Sequence, residues 1–183
     1  MSTSTLWNYC DKTVRVITRI RPIKRGESHL FCVALHRYLG REFTVNGVRV
    51  HRFDQVIELH LDNMRVAQLL HENHNLVSLA IKLIQEVNQS LPHLADCVNS
   101  QKYRKANVLL GITMIHRGVE KFGFEVFPLH NKIMHAFIKW YLRNIYCTFN
   151  SNGNSLIQSR PETFIPKMVA ISKQRLIQSY GIR

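Results

Sequence analysis

Two short stretches carry side chains that could share one chemical task. ELHLDN at 58–63 supplies Glu58, His60 and Asn63, and ITMIHRGVEKFGF at 112–124 supplies His116, Arg117 and Glu120. On a strand, Glu58 and His60 are two apart and project from the same face. On a helix, His116 and Glu120 are four apart and stack on the same side. If the strand at 54–61 lies beside a helix at 112–122, two imidazoles, two carboxylates and a guanidinium converge. Such a group could hold a divalent metal, run acid/base chemistry or grip a phosphate or sugar. The candidate catalytic residues are therefore His60, His116 and Glu120, and the candidate ligand-binding residues are Glu58, Asn63 and Arg117. Each pair also has an ordinary structural reading, as a strand-face hydrogen bond or a surface i,i+4 contact.

Other chemistries lack their signatures. There is no G-x-S-x-G or S-x-x-K for a nucleophile, and no glycine-rich phosphate loop. No compact H-E-x-x-H pattern marks a metal site, so no metal ligands are assigned, and the identity of any cofactor is left open. The four cysteines, Cys10, Cys32, Cys97 and Cys147, are far apart in sequence. Without a C-x-x-C pair they read as reduced thiols that pack as small apolar groups.

The elements that must position these residues follow from periodicity. Residues 5–20 space Leu6, Tyr9, Cys10, Val14 and Ile17 as an amphipathic helix. Residues 28–61 read as a β-meander of about four strands, with Asn46-Gly47 as a hairpin turn. In DQVIELHL, Ile57, Leu59 and Leu61 point one way while Val56, Glu58 and His60 point the other. Asp62 or Asn63 caps the next helix. A longer helix follows, and Ser90 and Pro92 look like the start of another short one. The apolar run 106–114 is either a buried strand or the start of a buried helix. Beyond it come a helix closed by Gly123, a strand at 124–129, an amphipathic helix at 131–149 and a last helix at 164–180.

The expected fold is therefore α+β. It has a small antiparallel sheet of three to five strands, from about 28–61 plus about 124–129, packed with five to six helices. The 183 residues read as one domain, with a basic helix and loop at 1–25 and a mostly helical part from 62 to 183.

The charge adds a partner class. Lys+Arg number 25 against 12 Asp+Glu, a net +13. The excess sits at both ends of the chain, while 26–100 is nearly balanced. This field favours phosphates, lipid headgroups, nucleic acid or acidic glycans. Trp7 beside Lys12, Arg15 and Arg19 makes 1–25 a candidate membrane-surface segment. No apolar run reaches the roughly 18 residues of a transmembrane helix, and no signal-peptide order is present. These features point to the cytoplasm; the apolar stripe of 1–25 either packs on the core, the ordinary reading, or makes a peripheral membrane contact. Basic groups at 49, 52, 167, 173 and 175 are too dispersed to specify nucleic-acid readout.

Three stretches, taken in order, resemble the bacterial YkoP-like family. They are FCVALHRYLGREFTVNGVRVHRFDQVIELHLDN, LLGITMIHRGVEKFGFEVFPL and MVAISKQRLIQSYG. The resemblance lies in the ELH-x-x-N strand end, the HRG-x-E segment with its GF step, and a serine-containing C-terminal element. It covers roughly residues 5–180. The chain departs from the pattern at Asn46, at Arg52-Phe53 and at Lys173. Related domains accompany polysaccharide deacetylases or glycosyltransferases, so the resemblance implies cell-envelope glycan or glycolipid work. It also adds Arg143, Ser172 and Arg175 as weaker ligand-binding candidates. The expected function is an accessory module that binds an anionic glycan- or lipid-linked ligand, such as a phosphosugar. The alternatives are a hydrolase or transferase with a His/Glu site, and a nucleic-acid-binding protein. Oligomeric state is not encoded in any motif.

Overall fold

The computed structural model describes residues 20–23, 29–72, 76–113, 116–129 and 165–181. The helices expected at 5–20 and 131–149, with Arg143, lie outside the described residues, as does most of the 1–25 segment.

The described chain begins with β1 (Arg21–Pro22), β2 (Phe31–Arg37), β3 (Phe43–Val45), β4 (Val48–Val50) and β5 (Gln55–Leu61). Then come α1 (Asn63–Glu72) and α2 (Leu76–Val98), followed by β6 (Val108–Thr113), β7 (Glu125–Phe127), β8 (Lys167–Ser172) and α3 (Lys173–Tyr180). Six strands form one sheet in the order β1-β2-β5-β6-β8-β7, and β3-β4 is a separate hairpin. All neighbouring pairs in the large sheet are antiparallel except β5 and β6, which run parallel.

This corrects the expected fold class. The sheet is mixed and larger than a three-to-five-stranded antiparallel meander, and three α-helices, not five or six, lie among the described residues. Two apolar runs account for most of the difference. VLLGIT becomes β6, buried in the middle of the sheet, and KMVAIS becomes β8 rather than the first turns of a helix. A strand covered on both faces reads as a continuous apolar run and loses the alternation that identifies a strand. The helix expected over 112–122 is replaced by the end of β6 and a single 3-10 turn at Val119–Phe122. Gly118 and Gly123 bracket that turn at φ 82° and 86°, a left-handed conformation that closes a helix to extension on both sides.

The third correction concerns α2. It runs unbroken through Pro92, where a new helix was expected. Ser90 does not cap anything there; its hydroxyl accepts a hydrogen bond from the Leu30 N–H at 3.3 Å. Proline lacks the donor for the carbonyl four residues back, that of Asn88, an exposed residue.

Several local expectations match. Asn46 and Gly47 form the hairpin turn at φ 46° and 79°. Asp62 caps α1 by accepting from the Met64 and Arg65 N–H groups at 2.9 and 3.4 Å. The alternation in β5 sorts its side chains as expected. Ile57 enters the main core with Leu109, Ile171, Leu91, Leu94 and Leu176, beneath α2 and α3. Val56 joins a second cluster with Val45, Val50, Val108, Leu110 and Ala170, beneath the β3–β4 hairpin. Burial of each large aliphatic side chain contributes about 1.5–3 kcal/mol, so both faces of the sheet are held.

Candidate functional site

Strand β2 pairs with β5 over seven residues, with Cys32 opposite His60 and Ala34 opposite Glu58. That register places His36, Glu58 and His60 on one face, the side that carries the hairpin. The two imidazoles bracket the carboxylate. His36 Nε2 lies 3.4 Å from Glu58 Oε2, and His60 Nε2 lies 3.6 Å from Oε1. These are ion-pair distances, long for a good hydrogen bond, and neither Nε2 has a hydrogen-bond partner. The adjacent His60 imidazole lowers the Glu58 carboxyl below the usual carboxylate range; burial opposes this, and the charge of His36 adds to it. Sequence reasoning found Glu58 and His60 but missed His36. The available signal was the matched seven-residue length of FCVALHR and QVIELHL, which pair directly once the hairpin between them is set aside.

His116, Arg117 and Glu120 occupy the connection that follows β6. His116 precedes the 3-10 turn, and Glu120 lies within it. Burial lowers the His116 imidazole below its ordinary value; Lys167 and Arg117 push the same way, while the Ile165 backbone and Glu120 oppose. The charges acting on His116 are thus Lys167, Arg117 and Glu120, and those acting on Glu58 are His60 and His36.

The turn separates two cavities. On one side is an open polar cleft of about 600 Å³, lined by Asn46, Glu120, Glu125, Ser172, Gln174 and Arg175 among others. Much of its polarity is spent on folding. Asn46 Oδ1 accepts from the Ser172 N–H at 2.8 Å, and Asn46 N and Nδ2 both donate to Glu125 Oε1 at 2.9 Å. Ser172 is buried and accepts from the Arg175 N–H at 3.2 Å, capping α3. Asn46 was read from the sequence only as a turn residue; its role as a joint between hairpin, β7 and α3 was missed.

On the other side is an apolar cavity of about 610 Å³, within the size range of sites for small ligands. Its floor is the sheet, through Leu59, Gly111 and Val169; its roof is α2, through Leu83, Ile84 and Val87. Leu30, Phe31 and Phe124 form the buried end, and Val119 and Phe122 form the side. The exposed lining residues define the mouth: Ile84, Asn88, Arg117, Gly118 and Lys121. No carboxylate lines it among the described residues. Gly111 is needed here, because a Cβ at that position would stand 2.6 Å from the Leu59 carbonyl oxygen.

The sequence candidates are therefore distributed. His60 and Arg117 both contribute to the apolar cavity, although the His60 ring lies beside Glu58. Glu120, Ser172 and Arg175 share the polar cleft. Glu58 lines neither cavity, and Asn63 is the first residue of α1. No three His, Cys, Asp or Glu side chains among the described residues are placed to hold a metal ion. No helix among them is long and apolar enough to cross a membrane.

The chain is 29% identical over 136 residues to the Bacillus subtilis (strain 168) protein named "Uncharacterized protein YkoP", an alignment covering 73% of this chain and 74% of that protein. No solved structure matches. A model of the YkoP domain matches residues 2–180. With the match spanning almost the full sequence, the chain belongs to the YkoP-domain family.

Proposed function

We propose that the chain is a binding module for an anionic amphiphile, which places its apolar part in the cavity between β5, β6 and α2 and its anionic group at Arg117 and Lys121. The observation that carries this reading is the asymmetry of the cavity: aliphatic and aromatic walls, two cations at the mouth and no carboxylate among its described lining residues. Transfer of an alkyl chain from water into such walls contributes about 0.8 kcal/mol per methylene. The guanidinium of Arg117 supplies paired donors for a phosphate or carboxylate. Lipid-linked anions of the cell envelope, the setting expected from the family resemblance, are members of this ligand class.

Thermal unfolding with dodecyl phosphate, kept below its micelle-forming concentration, tests the reading. At about 100 times its Kd the ligand should add about 2.7 kcal/mol, a rise in Tm of about 5–10 °C for a chain of this size. The R117E/K121E variant should show a much smaller rise. An equal rise with a dodecyl ammonium salt, or none with either, contradicts the proposal.

A further inference from the structure

We infer that the mouth of the apolar cavity is a docking surface for an anionic bilayer. The inference rests on the amphiphile reading above, because it supplies the route by which an insoluble ligand reaches the cavity. It also has its own observation. Ile81 and Ile84 are 52% and 48% exposed on α2, where a large aliphatic side chain gains nothing from water. Ile81, Ile84 and Asn88 follow i, i+3, i+7 spacing and form one stripe along the helix. Ile84 belongs both to this exposed stripe and to the cavity wall. The stripe therefore leads directly into the opening.

Among the described residues, the charged side chains at the opening have one sign. Arg117 and Lys121 are exposed at the mouth, and Lys82 is exposed on α2 one residue after Ile81, off the isoleucine stripe. The nearest carboxylate on this part of α2, Glu86, is bound by Arg65: Arg65 Nε donates to Glu86 Oε2 at 3.1 Å, and Nη2 donates to Oε1. Glu120 lines the other cleft. Exposed isoleucines beside the cations of the mouth match the boundary between acyl chains and anionic headgroups. Each of the three cations near such a surface strengthens binding about fivefold. The occupant is thus a leaflet rich in anionic lipid. A second copy of the chain, with its own net charge of +13, would bring like charges together at this face.

Co-sedimentation with phosphatidylcholine vesicles, with or without 30 mol% phosphatidylglycerol (about a third anionic, in the range of charged leaflets), tests the inference. The native chain should pellet with the anionic vesicles, weakly with the neutral ones, and less as salt rises. The variant I81S/K82E should lose vesicle binding by about tenfold or more, yet bind soluble dodecyl phosphate as the native chain does, since neither residue lines the cavity. A circular dichroism melt confirms that it is folded. If the native chain binds dodecyl phosphate but ignores anionic vesicles, the docking inference is wrong and the amphiphile reading stands. Failure to bind dodecyl phosphate overturns both. Unchanged vesicle binding by I81S/K82E moves the contact to another surface and also overturns the inference, as does a dimer in sedimentation velocity that this variant abolishes.

Discussion

Asn46 does two jobs that no single replacement preserves. Its φ of 46° sits in the left-handed region, and its amide joins Glu125 to the Ser172 backbone. Replacement by alanine loses both the tolerated turn and the bonds, at a cost of about 2–4 kcal/mol. Asn46→Gly keeps the turn and should cost less, so a larger loss for glycine than for alanine in urea melts would refute this account of the joint. Among the described residues, two groups are held so that acid should destabilise the fold. Glu58 titrates below its ordinary value of 4.5, so its contribution is full above that pH and is lost as the pH falls through its folded value. Because the carboxylate is about one-third exposed, the Glu58→Gln difference should be only about 0.5–1 kcal/mol, shrinking below pH 4.5. His116 is held below its ordinary 6.5, so the unfolded chain takes up protons first and stability falls as the pH drops below that value. His116→Gln should flatten this part of the stability–pH curve, measured by denaturant unfolding between pH 5 and 7. An unchanged slope would show that His116 is not perturbed.

The contact between β5 and β6 is the element on which the cavity depends. Their parallel pairing needs a crossover, here supplied by α1 and α2, which places α2 over the sheet as the cavity roof. Gly111 lets the Leu59 backbone come close. Gly111→Ala should therefore cost about 1–3 kcal/mol and lower amide-exchange protection along β5 and β6 more than in the β3–β4 hairpin; uniform loss would speak against a local clash. This element also shows what the sequence could reveal. The alternation of DQVIELHL, the Asn-Gly turn and the Asp62 cap were all legible, because each rests on contacts within a few residues. VLLGIT and KMVAIS were not, since a strand buried on both faces carries no period to read. The segment around His116 misled for the opposite reason. Its apolar spacing fits a helix, but Gly118 and Gly123 in left-handed conformations allow one 3-10 turn. The convergence of His60 with His116 and Glu120 was inferred from that helix; the structure adds His36 as a second partner of Glu58, brought in by the pairing of β2 with β5 across the β3–β4 hairpin.

At the scale of the whole molecule, the surplus of positive charge and the apolar cavity belong to one description. Net charge alone favours any anion and selects none. A cavity with apolar walls and a cationic mouth selects anions that carry a chain, and the distinction can be measured. Calorimetric titration of octyl, decyl and dodecyl phosphate, all below their micelle-forming concentrations, reads the depth of the site directly. Each added methylene should tighten binding about fourfold, the equivalent of about 0.8 kcal/mol, until the cavity is full. The variant V87W, which fills the space beneath α2, should reach its limit at a shorter chain. An affinity that does not change with chain length, in the native chain and V87W alike, would mean that only surface charge holds these ligands and would contradict the proposed function.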